Sequence, residues 1–115
     1  MRIFLKAKLK GKKEIETQIR ANSGADWIVL PREIIEKIKP KKIKQKVRYR
    51  GIGGKEFESP LYEVEVKLED PKKKMKRSCK AKAIMVEIGI PLLSHEAMGK
   101  LGLILDLRNG SYELK

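Results

Sequence analysis

The chain has 115 residues, enough for one domain with one modest core, and its 28 Lys and Arg against 15 Asp and Glu give a formal charge of +13. A single cysteine, Cys79, excludes an internal disulfide and a structural Cys/His zinc site, and the single histidine, His95, is the one base a Ser-His-Asp arrangement could use. No apolar run approaches the roughly 20 residues that span a membrane, and the N-terminus lacks the apolar stretch of a signal peptide, so a soluble cytoplasmic protein without a membrane partner is expected.

Ile3, Leu5, Ala7 and Leu9 alternate with basic residues, the period of a strand with one buried face. After the turn Gly11-Lys12-Lys13, Ile15 to Ala21 alternates again and completes a hairpin. The turn-forming residues Asn22 to Asp26 precede a short apolar strand, Trp27 to Leu30. Pro31 suits the first position of a helix over Arg32 to Lys39, which Pro40 ends.

Ile43 to Arg50 is a third alternating strand, with Lys44, Lys46, Arg48 and Arg50 on its outer face. Gly51 to Gly54 is a flexible turn, and Tyr62 to Leu68 is a fourth strand. Asp70 to Arg77 reads as a lysine-rich loop, and Cys79 to Ile88 as a central strand. Ser94 is a suitable N-cap for a helix through Leu101, with Gly102 as its C-cap. Leu103 to Leu107 and Tyr112 to Lys115 flank Asn109-Gly110, a strong hairpin signal. One weak repeat is visible: alternating strand, turn, apolar run and short helix at Ile15 to Lys39 recurs at Ala81 to Leu101. The expected fold is mostly β with two short helices.

Asn22-Ser23-Gly24-Ala25-Asp26, followed by Trp27-Ile28-Val29-Leu30-Pro31, is the most informative stretch. Taken alone it also fits an Asx-type turn between two strands, with Asp26 solvated. It resembles the active-site segment of the retropepsin-like aspartic peptidases, in which Asp-Thr/Ser-Gly-Ala precedes an apolar strand. Gly51-Ile52-Gly53-Gly54 resembles that family's glycine-rich flap tip. Pro91-Leu92-Leu93-Ser94 resembles the apolar segment entering the second helix, which the family usually closes with Gly rather than Ser94. The resemblance extends over roughly Ile15 to Leu114, and residues 1–115 are expected to form a single retropepsin-like domain.

The resemblance implies an endopeptidase in which a water is activated between two Asp, one from each subunit of a two-fold homodimer. An acid dyad needs two carboxylates sharing one proton, and one motif per chain supplies half of it. Asn22, Ser23 and Gly24 stand at the family's catalytic positions. Ala25, Asp26, Gly51, Ile52, Gly53, Gly54 and Leu92 stand at substrate-binding ones. Gly24 would let the backbone turn sharply so that residue 22 points into the cleft. The Ser23 hydroxyl would tie the two active-site loops together, and His95 would either pair with Asp26 when protonated or stand solvated in the first turn of its helix. No metal or organic cofactor is implied, and the expected partner is a peptide or protein substrate.

Asn22 is the departure, since the family has its catalytic Asp there. An amide matches a carboxylate in shape but cannot titrate or take a proton from water. Asn22 is either an Asp-to-Asn change that silences a peptidase or the residue of a peptide-binding pseudo-enzyme. The chain as written is expected to bind peptide without cleaving it. The competing class is a basic nucleic-acid-binding module on the Lys39–Arg50 and Lys72–Arg77 runs. Few aromatics lie near for base stacking, so a solvated charged face is the alternative there.

Overall fold

The computed structural model describes residues 2–70, 72 and 75–115, and of Ile52 the backbone only. The N-terminal alternation becomes β1 (Phe4–Lys10) and β2 (Glu14–Ala21), paired antiparallel with Leu9 opposite Ile15. Alternate side chains point to opposite faces, so Leu5, Ala7 and Leu9 are buried while Lys6, Lys8 and Lys10 face water. β3 (Ile28–Pro31) leads into α1 (Arg32–Ile38), whose Ile34, Ile35 and Ile38 form the buried stripe. Pro31 stands one position earlier than its sequence suggests, at the N-cap, because its ψ of 154° keeps it in the strand.

β4 (Lys41–Arg50) and β5 (Glu56–Asp70) make a long antiparallel arm closed by one turn of 3-10 helix at Ile52–Gly54. β6 (Met75–Val86), β7 (Leu92–Leu93), α2 (His95–Leu101), β8 (Leu103–Asp106) and β9 (Ser111–Leu114) complete the chain. The largest shifts from the expected boundaries are at two strand starts. β5 begins at Glu56 rather than Tyr62, and β6 begins at Met75 rather than Cys79. Of the expected lysine-rich loop, positions 71, 73 and 74 lie outside the described residues, and Met75–Arg77 pair with Asp70, Glu69 and Leu68 instead.

The main sheet runs β1-β2-β7-β3-β6-β5-β4, and β1 also pairs with β5, Leu9 opposite Val66. That second pairing closes the sheet on itself, leaving β4 as its outer strand. The core inside includes Leu5, Leu9, Ile19, Ile28, Leu30, Val64, Val66 and Leu93. Each such side chain contributes roughly 1.5–3 kcal/mol by leaving water. A buried carboxylate, Asp70, fixes the C-terminal strand by accepting from the backbone N–H of Leu114 at 3.2 Å.

The weak sequence repeat has a structural counterpart. β2 pairs parallel with β7, Arg20 opposite Leu92, and β3 pairs parallel with β6, Ile28 opposite Ala83. Each repeat therefore lends its short apolar strand to the long strand of the other. β3 and β7 meet antiparallel between them, at Val29 and Leu92.

Candidate functional site

The Asn22–Asp26 turn lies where the two repeats cross. Asn22 continues from β2, and its backbone N–H donates to the carbonyl of Leu93 at 3.1 Å. Two residues earlier Arg20 donates to Pro91 at 2.9 Å, and the N–H of His95, opening α2, donates to the carbonyl of Ala25 at 2.9 Å. The turn is thus stitched between β7 and α2. Within it, Asn22 Oδ1 accepts from the N–H of Gly24 at 3.1 Å, and the Asn22 carbonyl accepts from Ala25 at 3.1 Å. The side chain acts as part of the turn, as Asx residues do. Asn22 and Ala25 are half-buried, whereas Ser23, Gly24 and Asp26 are exposed.

Two sequence expectations are corrected here. Gly24 is absent from the glycines with a left-handed φ, and a Cβ there would meet Asn22 Oδ1 at an ordinary 3.5 Å. The protomer's own backbone therefore does not require glycine at that position. His95 makes no ion pair with Asp26 among the described residues; its backbone, not its ring, holds the turn.

The β4–β5 arm carries the glycines expected at a flap tip. Gly53 and Gly54 have φ of 85° and 76°, in the left-handed region that glycine tolerates, and nothing lies within 4 Å of where their Cβ atoms would be. Gly51 differs, because a Cβ there would sit 2.7 Å from the Phe57 ring. Phe57 stacks on Tyr49 across the arm, with centroids 5.6 Å apart. Two side chains tie the arm to β6, and both reach Met85. Tyr49 donates its hydroxyl to the Met85 carbonyl at 3.1 Å, and Ser59 Oγ accepts from the Met85 N–H at 2.9 Å. Burial, with Glu87 nearby, pushes the Tyr49 phenol up, so this donor keeps its proton.

Leu92 is half-buried in β7 beside the turn. The segment entering β7 is apolar and open to solvent, with Ile88 93% and Ile90 46% exposed. Cys79 is half-buried, its Sγ 3.9 Å from the carbonyl of Ala97, and burial pushes its thiol up, away from a reactive thiolate. No cluster of His, Cys, Asp and Glu among the described residues could hold a metal ion. Two concave regions, of about 540 and 610 Å3, lie elsewhere, and neither is lined by Asn22 or the flap tip. The second takes Lys39, Lys41 and Lys42 from the basic run legible in the sequence and joins to them residues that were not part of it. Its lysines, Lys10, Lys12, Lys39, Lys41, Lys42 and Lys80, come from separate segments.

No protein-family model and no curated protein matches the chain. Among solved structures it is similar to the EIAV protease complexed with the inhibitor HBY-793, with a TM-score of 0.63. The likeness covers 93% of this chain and 94% of that one, at 18% sequence identity. At that identity it shows the fold, which is retropepsin-like, mostly β with two short helices.

Proposed function

We propose that this protein is one half of a two-fold peptide-binding cleft of the retropepsin type, with Asn22 at the position of the catalytic Asp. The observation that carries this reading is the Asn22–Asp26 turn, held by Leu93 and His95 at the crossing of two repeats in a retropepsin-like fold. The open glycine tip of the β4–β5 arm supports it as the cover of the cleft, over Ala25, Asp26 and Leu92. Exposed Ile88 and Ile90, in the apolar segment entering β7, support a second copy as the partner, since neighbouring apolar residues open to water favour association. Sedimentation at micromolar concentration should give a species of twice 13.2 kDa, and a lone 13.2 kDa species would count against the cleft.

With Asn22 in place, peptide binds and is not cut. The amide cannot take a proton from water, and two symmetry-related amides cannot share one. Asn22→Asp should keep the turn, because a carboxylate oxygen accepts the Gly24 N–H as Oδ1 now does. It would place two carboxylates on the dimer axis, where like charges cannot both ionise easily. One then serves as base toward water while its protonated partner donates to the peptide carbonyl. A peptide-library digest from pH 2 to 8 should show cleavage by the Asn22→Asp form alone, with a bell-shaped profile on the acid side. If that form folds, dimerises and cuts nothing, the peptidase reading fails and a peptide-binding adaptor takes its place.

A further inference from the structure

The sequence singles out the outer face of β4 as its basic stripe, and in the structure one carboxylate serves two of its cations. Lys46 and Arg48 both meet Glu58, at 3.4 and 4.0 Å, and Arg50 stands opposite Glu56. A second concentration of lysines lies elsewhere. The β1–β2 turn docks on the end of α1, with Lys12 N–H donating to Lys39 O at 3.2 Å and Lys13 N–H to Ile38 O at 3.1 Å. Gly11 permits this approach, since a Cβ there would lie 2.5 Å from Ile38 O and 2.7 Å from Pro40 Cα. Docking brings Lys10 and Lys12 around one cavity of about 610 Å3 with Lys39, Lys41, Lys42 and Lys80.

Glu63 and Glu65 also line this cavity, and each has a lysine partner: Lys80 at 3.9 Å and Lys67 at 3.8 Å. Lys10, Lys12, Lys39, Lys41 and Lys42 have no ion pair among the described residues, and all five are exposed. Lys39 is also the one described non-glycine residue with positive φ, at 50°.

We propose that this cavity is a site for consecutive phosphates, supplied by a nucleic-acid backbone or by a free oligophosphate. Six lysines against two carboxylates in one concavity leave an excess of positive charge that matches a dense row of phosphate charge. No aromatic ring lines the cavity, so bases would not stack there and recognition is of phosphates alone. The site is separate from the Asn22 turn and does not rest on the peptide-cleft reading.

The test is fluorescence anisotropy of the full chain with a labelled dT20 oligonucleotide across a salt series. Each lysine–phosphate contact on a single strand contributes about −0.7 to the slope of log affinity against log salt. Lys12→Gln/Lys41→Gln/Lys42→Gln should reduce that slope by about 2 and weaken binding at least about tenfold at low salt. The charge-matched control Lys44→Gln/Lys46→Gln/Arg48→Gln should change affinity less than about threefold. Displacement of dT20 by tripolyphosphate would assign the site to a short phosphate chain, and failure to displace it to a nucleic-acid backbone. Equal losses in the two triple variants, no binding of dT20 or tripolyphosphate by the unmodified chain, or equally effective displacement by polyglutamate would overturn the proposal. Should the first triple variant fail to fold, Lys39→Gly decides instead, since glycine suits the backbone there. A slope reduced by about 0.7 supports the site, and an unchanged slope overturns it.

Discussion

The first repeat, β2 to α1, ends its helix on a lysine; the second, β6 to α2, ends on a glycine. Lys39 takes φ 50° to close α1, and Gly102 takes φ 67° to close α2. Their starts differ in the same sense. Ser94 caps α2, its Oγ accepting from Ala97 N–H at 3.2 Å, whereas Pro31 offers α1 no side-chain cap. The second repeat follows the local rules of helix ends, and the first breaks them at both. Breaches of this kind gather where a protein has something besides stability to serve. Both proposed sites involve the first repeat, one at Asn22 and one around Lys39.

The comparison can be broken at three helix-end positions. The largest change in stability should come from Gly102→Ala. It forces alanine into a left-handed φ and puts its Cβ 2.8 Å from the backbone oxygen of Lys115. A loss of about 2 kcal/mol is expected, read as a lower urea midpoint at unchanged slope. Ser94→Ala should follow, costing about 1 kcal/mol, because the buried Ala97 N–H loses its acceptor. Lys39→Gly should have the smallest effect and the opposite sign, a gain of about 0.5–1 kcal/mol as strain is released. A loss at Lys39→Gly would mean that lysine closes α1 without strain, and the contrast between the two C-terminal ends would disappear.

Strong local signals in the sequence correspond to observed elements. The alternation of Ile3 to Leu9 reads directly as β1, and Ser94 with Gly102 brackets α2 to the residue. Weak amphipathicity hid other boundaries. Met75, Arg77 and Cys79 are only half-buried in β6, so a strand dense in lysine looked like loop. β7 has two residues, too few for any period to appear. Glu56 to Glu58 was hidden because this part of β5 belongs to an exposed arm, where alternation carries little contrast. Of the candidate site, Asn22 to Asp26 was legible as a motif, since its residues are contiguous. The backbone role of His95 was not, because hydrogen bonds made by the main chain leave no mark on side-chain identity. Lys39, Lys41 and Lys42 of the lysine cavity were legible as part of a basic run, but their meeting with Lys10, Lys12 and Lys80 was not: it depends on Gly11 meeting Pro40, a contact between segments far apart in the chain.

The two bonds at Met85 carry a mechanical consequence. β5 joins the β6 ladder at Tyr62, opposite Ala83, so everything before it in the arm lies outside that ladder. Tyr49 and Ser59 then grip the carbonyl and the N–H of a single residue. The arm is a lever resting on one peptide segment. Any movement of the arm away from β6 would cost Met85 both partners together, so exchange of its amide proton would report that opening.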